Sequence, residues 1–231
     1  MEIWYKDIKD SEATILLGVG NTLLGKRIAG YLIEKLNPEK VGYIKILDKY
    51  SVDIRDGNFY QRDGGIYYSP THKLFILTWN YLPYDLRNEE LMNIIVRMGK
   101  DIGSRILLMD YGGPLRRSGV WGASTDKPFL EEMEKSGIVR INRGCAIGGL
   151  AQLLNKLVRE KLRVGILISH TEVKKELPLS ITGGIEECEA SVYVLEKIDR
   201  MFNLNVDVNE FKEKCKKEGF ITPIGKTSYI T

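Results

Sequence analysis

Residues 15–36 read ILLGVGNTLLGKRIAGYLIEKL, an apolar run, a glycine turn and an amphipathic stripe with almost no spacer between them. Ile15, Leu16 and Leu17 are apolar in succession, the pattern of a strand covered on both faces within a parallel sheet. Leu24, Ile28, Leu32 and Leu36 then recur every fourth residue and form one stripe of a helix, which Asn37-Pro38 ends because proline cannot continue the hydrogen-bond ladder. A strand, turn and helix in this order open an α/β domain, and few other architectures accept a doubly covered strand leading straight into a helix.

Gly18, Gly20 and Gly25 lie in the turn, where backbone N–H groups can approach an anion at the positive end of the helix. A dinucleotide-binding fingerprint would need a third glycine where Leu23 stands, and Asp48 comes late for the ribose acid. Residues 20–26 fit the opening of a P-loop, and the apolar run ending in Asp110 resembles its companion strand. Arg27, however, replaces the hydroxyl that would hold magnesium, and arginine cannot coordinate a cation. The wording GVGNTLLG also resembles the start of hydrogenase-maturation peptidases, but Lys26 and Arg27 stand where those proteins carry nickel-recognising acids, and two cations repel a metal. The plainest alternative is that these glycines serve only close packing of strand on helix.

The 231 residues, 43% of them hydrophobic, suffice for a substantial core, and no Pro/Ser-rich linker or repeat divides them. A single α/β domain over residues 1–219 with a C-terminal tail over 220–231 is expected. The net charge is +3 with acids and bases interspersed, unlike the concentrated basic face of a nucleic-acid binder. No apolar run approaches the ~18 residues of a membrane span, and MEIWYKDIKD lacks the form of a signal peptide, so a cytoplasmic, soluble protein is expected. Cys145, Cys188 and Cys215 are far apart and lack CxxC spacing, so neither a disulfide framework nor a zinc site is expected.

Farther along, residues 41–47 read as a strand and 51–56 as a short extended piece. Residues 66–69 and 74–79 read as a hairpin turning at Pro70-Thr71-His72. A helix is expected over 88–100 with Asn88 as N-cap, then a buried strand over 105–110 whose exit loop is Tyr111-Gly112-Gly113-Pro114. Ser124-Thr125-Asp126 marks a helix start, residues 138–141 a short strand, and Gly144 to Gly149 a second glycine-rich turn before a helix bearing Leu150, Leu153, Leu154 and Leu157. Cys145 beside that helix start, with His170 as base and Glu172 as orienting acid, is the nucleophilic alternative. Leu177-Pro178 and Gly183-Gly184 signal a loop, followed by helices over 185–202 and 209–218. The glycine turns mark a candidate crevice for an anion or small ligand, formed by Gly18, Gly20, Asn21, Gly25, Gly112, Gly113, Gly148 and Gly149.

The landmarks GVGNTLLGKRIAGYLIEKL, RILLMDYGGP, GVWGASTDKPFLEEMEKSGIV, RGCAIGGLAQLLNKL and VGILISHT, in this order, resemble the proteasome assembly chaperone family in its archaeal and bacterial branch, over residues 15–217. The resemblance implies a three-layer α/β/α sandwich like that of nucleoside phosphorylases and the peptidases above, with a mostly parallel central sheet and here a C-terminal helical pair. It implies a non-enzymatic protein that binds proteasome subunits during 20S assembly or docks on its ends, self-associates, and carries no catalytic residue, cofactor or metal. The competing class is a small-molecule hydrolase or nucleotide-binding enzyme using the crevice. Where the family docks through its C-terminus, a hydrophobic residue, tyrosine and one final residue are expected. This chain ends Ser228-Tyr229-Ile230-Thr231, with the tyrosine one position early.

Overall fold

Ile15 and Leu17 face one side of the sheet and Leu16 the other, and all three are buried, as a strand covered on both faces requires. The structure, a computed structural model, describes residues 2–19, 23–45, 53–55, 58–60, 63–79, 89–146, 148–172 and 179–220. Gly20, Asn21, Asn88, Leu177-Pro178 and the tail with Tyr229 lie outside the described residues.

The chain forms β1 (Glu2–Tyr5), β2 (Thr14–Gly18), α1 (Leu24–Leu36), β3 (Glu39–Lys45), the separate hairpin β4 (Asp53–Arg55) and β5 (Asn58–Tyr60), then β6 (Asp63–Ser69) and β7 (Leu74–Trp79). These are followed by α2 (Glu89–Ile102), β8 (Arg105–Leu115), β9 (Gly119–Ser124), α3 (Lys127–Lys135) and β10 (Val139–Arg140). The remainder is α4 (Gly148–Arg159), β11 (Val164–Glu172), α5 (Leu179–Phe202) and α6 (Val208–Phe220). Nine strands make one sheet in the order β1-β3-β6-β7-β2-β8-β11-β9-β10.

The expectation of a mostly parallel sheet holds for the centre, where β7, β2, β8 and β11 are parallel; taken whole, the sheet is mixed. On one flank β6 and β7 are a tight hairpin, closed by Lys73 at φ 49, and β3 and β1 continue antiparallel. A turn this short leaves no room for a crossover helix, so the strands must reverse. On the other flank β9 runs antiparallel to β11. β8 and β9 are consecutive, yet β11 lies between them, so this part of the sheet is completed by a strand arriving from 40 residues later.

Helices cover both faces, giving the α/β/α sandwich. α2 and α4 bury Leu91, Ile95, Met98, Leu153 and Leu157 against the face of Ile15, Leu17, Phe75, Ile106 and Leu108. α1, α3, α5 and α6 bury Leu24, Ile28, Phe129, Met133, Leu195 and Phe211 on the face of Leu16, Ile76, Leu107 and Leu167. α5 and α6 form the expected C-terminal pair. The segment GASTDKPFLEEMEKSGI docks α3 through glycine: a Cβ on Gly165 would lie 2.8 Å from Phe129 Cε1, and one on Gly122 would lie 2.8 Å from Ile138 Cγ2. Arg105 reaches over the Phe129 ring, 4.4 Å from its centroid, and pairs with Glu132.

Two local expectations change. Tyr111-Gly112-Gly113-Pro114 is not an exit loop but the end of β8, which stays paired with β11 past an irregularity opposite Ser169 and Thr171; Gly113 at φ 87 supplies the left-handed backbone needed there. Gly183-Gly184 lies inside α5, whose helix continues through a signal that alone would have stopped it. The start of α3 falls where expected: Asp126 is its N-cap, without a side-chain cap bond. Ser124 Oγ donates to Val164 O at 2.8 Å, and Thr125 Oγ1 accepts from Val164 N at 2.9 Å, fastening β9 to the start of β11.

Candidate functional site

β2 delivers Gly18 to the carboxyl end of the central strands, where Val19 N donates to Met109 O at 2.8 Å, and α1 returns Gly25 directly onto it. A Cβ built on Gly18 would overlap Gly25 Cα and lie 3.1 Å from its carbonyl carbon; a Cβ on Gly25 meets Gly18 in the same way. The two glycines therefore hold strand and helix at backbone contact.

The start of α1 is met by an anion from this chain. Glu187 of α5 accepts from Leu23 N at 3.3 Å, at an N-cap whose own side chain cannot accept a hydrogen bond. Burial raises the Glu187 pKa, opposed by the Leu23 N–H and by the nearby Arg27 charge. The Cys188 thiol on α5 is drawn below the ordinary thiol range first by Cys215, against burial, and to a lesser degree by the Arg27 charge, so the cation that departs from both the P-loop and peptidase patterns lies electrostatically within reach of α5. Glu187→Ala is expected to lower stability by about 1 kcal/mol, whereas Glu187→Gln, whose amide oxygen can still accept and which removes the buried charge, is expected to be at least as stable as the wild type at neutral pH. Urea unfolding of the three proteins checks this ordering.

On the next strand, Asp110 Oδ1 accepts from Tyr111 N at 2.8 Å, and burial pushes its carboxyl up to about 6 against that bond. Tyr111 Oη is 2.9 Å from Thr171 Oγ1 and donates to the buried Glu186 at 3.4 Å. His170 Nδ1 lies 2.9 Å from Gly113 O, and its ring meets the edge of Trp121 with centroids 5.2 Å apart. A Cβ on Gly112 would lie 2.8 Å from His170 Nε2, so Gly112 makes room for this imidazole. His170 is thus engaged by β8 and β9, while Cys145 is exposed in the segment before α4.

Gly18 and Gly25 meet at the end of β2, whereas Gly112 and Gly113 lie in the last residues of β8, beside His170 of β11. Gly148 and Gly149 start α4, which packs with α2 on the opposite face from α1. Among the described residues, no group of three or more His, Cys, Asp or Glu could hold a metal ion, and no helix is long and apolar enough to cross a membrane. Sequence reading missed Glu187. The available signal was an acid at helical spacing from Ala190, Ser191 and Val194, all fully buried on α5.

This combination is an α/β/α sandwich whose leading glycine turn is closed by backbone contact and by an internal carboxylate. The sequence matches the PAC2 family model over residues 16–217, and the chain belongs to the PAC2 family. Among solved structures, Pyrococcus furiosus PbaA, described as an archaeal homolog of proteasome-assembly chaperone, has a TM-score of 0.73 at 20% identity, with 95% of this chain and 93% of that chain covered. Pyrococcus furiosus PbaB, described as an archaeal proteasome activator, has a TM-score of 0.71 at 22% identity, with coverage of 95% and 96%. A proteasome-assembly chaperone homologue from Mycobacterium tuberculosis has a TM-score of 0.60 at 9% identity, with coverage of 93% and 96%. No curated protein matches the sequence. The family resemblance carried by the ordered landmarks is thereby shown.

Proposed function

We propose that this protein is a non-enzymatic binding factor for proteasome subunits, a chaperone or regulator of 20S assembly, and that it works as a homo-oligomer. The observation that carries the reading is family membership over residues 16–217, combined with a fold shared across nearly the whole chain with PbaA and PbaB. Glu187 at the start of α1 supports the reading, since a carboxylate of this chain already accepts from the Leu23 N–H there.

In this proposal the folded domain contributes more than the C-terminal residues. The family match ends at residue 217, and a chain segment that becomes ordered on docking loses conformational entropy. Co-purification with 20S subunits or half-assembled rings is expected both for the full chain and for one ending at Phe220, with light scattering reporting an oligomer. Loss of all binding on truncation would overturn the domain-docking part. Failure of both forms to bind, with a metabolite co-purifying instead, would replace the whole reading with the enzyme alternative.

A further inference from the structure

β1 is one edge of the main sheet, and among the described residues no strand pairs with its outer side. Its backbone groups divide between two directions. Lys6 N donates to Val41 O at 2.9 Å, continuing the register that sets Trp4 opposite Tyr43, so positions 2, 4 and 6 bond inward to β3 while Ile3 and Tyr5 turn their N–H and C=O groups outward. The side chains alternate as well. Ile3 and Tyr5 pack against the core on the α2 face, where Tyr5 Oη donates to Asp101 Oδ2 at 2.5 Å, and Trp4 stands on the other face, stacked on Tyr43 with ring centroids 6.2 Å apart. Trp4 is 52% exposed, although tryptophan carries a large apolar surface. Edge strands are ordinarily protected by proline, a bulge or an inward-pointing charge, and Ile3-Trp4-Tyr5 has none of these.

We propose that β1 pairs antiparallel with β1 of a second copy about a two-fold axis at Trp4, joining two sheets edge to edge. This deepens the homo-oligomer part of the reading above and rests on it. Backbone geometry restricts the register, because a pairing centred on Trp4 uses all the outward groups of Ile3 and Tyr5, Ile3 of each copy bonding Tyr5 of the other. Charge selects the same register. Position 2 comes opposite position 6 of the second copy, an acid against a base on both sides of the axis, and Trp4 meets its own symmetry mate. A register shifted by two residues sets Glu2 or Lys6 opposite Trp4 and forfeits both charge pairs. Lys6 already pairs with Glu39 of its own chain, but it is half-exposed and its ammonium has three donors, enough to serve a second carboxylate.

The test is sedimentation velocity on the full chain over a concentration series, with Glu2→Lys and Lys6→Glu made singly, together, and as a mixture of the two single variants. Each single variant sets like charges opposite each other on both sides of the axis and is expected to weaken self-association about tenfold. The double variant and the mixture restore opposite charges, and both are expected to recover it. Trp4→Ala is expected to weaken association about 30-fold. Recovery on mixing is the decisive readout, since a fold damaged in one variant is not repaired by the other. In the unmutated protein the Ile3 and Tyr5 amides are expected to gain hydrogen-exchange protection as concentration rises, which reads the pairing even if a variant does not fold. An oligomer that persists unchanged through these variants, or a loss that mixing does not recover, overturns the β1 pairing and leaves self-association standing. A monomer at every concentration overturns both.

Discussion

Gly18→Ala is expected to destabilise the protein by about 3 kcal/mol, a fall in Tm of roughly 6–12 °C, although it adds a single methyl group. That methyl would overlap Gly25 Cα, and both partners in the clash are backbone, so no rotamer change relieves it. To accept it, α1 must move off the sheet, opening contacts around the fully buried Leu24, Ile28 and Leu32. Gly30 is the internal control: it lies in the same helix, is exposed, and a Cβ there meets nothing within 4 Å. Gly30→Ala should therefore stabilise the protein by about 0.5–1 kcal/mol, because alanine loses less conformational freedom than glycine in a helix. Urea unfolding of both variants decides the point, and tolerance of Gly18→Ala would mean that strand and helix are not in backbone contact.

Asp110→Asn should stabilise the protein at pH 7–8 by about 1–2 kcal/mol, and the gain should vanish near pH 4. The native carboxyl titrates at about 6 because it is buried, against ~3.9 in an unfolded chain. Below about pH 4 the group is neutral in both states and favours neither. As pH rises toward 6 the unfolded chain releases its proton while the native state keeps it, so the stability present in acid is lost, fully so above the native pKa. Asparagine remains neutral throughout and keeps an oxygen for the Tyr111 N–H. Glu187, raised in the same direction, adds to the slope of the wild-type protein but is common to both proteins and cancels in their difference. Unfolding curves from pH 4 to 8 test this, and a difference independent of pH would place Asp110 in solvent.

Much of the fold was legible because local patterns and tertiary needs agreed. Ile15-Leu16-Leu17 announced a doubly covered strand, and Leu24, Ile28 and Leu32, recurring every fourth residue, announced the helix packed on it. β9 was missed because GVWGAS has two glycines and small residues where a strand usually shows bulk, and that smallness is what admits Met133 and Ile138 of the α3 region. The end of β8 was missed because Gly112-Gly113-Pro114 carries turn chemistry locally, and only the length of β11 beside it provides a ladder to join.

By itself the sequence determined the α/β class, the opening strand-turn-helix, the departure at Arg27 from an ATPase pattern, and the ordered landmarks shared with the PAC2 family. These rest on period, residue type and spacing, which are properties of neighbouring positions. Tertiary structure alone decided that Gly18 touches Gly25, that Glu187 meets the start of α1 from 164 positions away, and that Gly148 and Gly149 start a helix on the opposite face from that of Gly25. Each of these contacts joins positions whose separation in sequence carries no signal of its own. They form because sheet order and helix packing bring the two backbones or side chains to the same place.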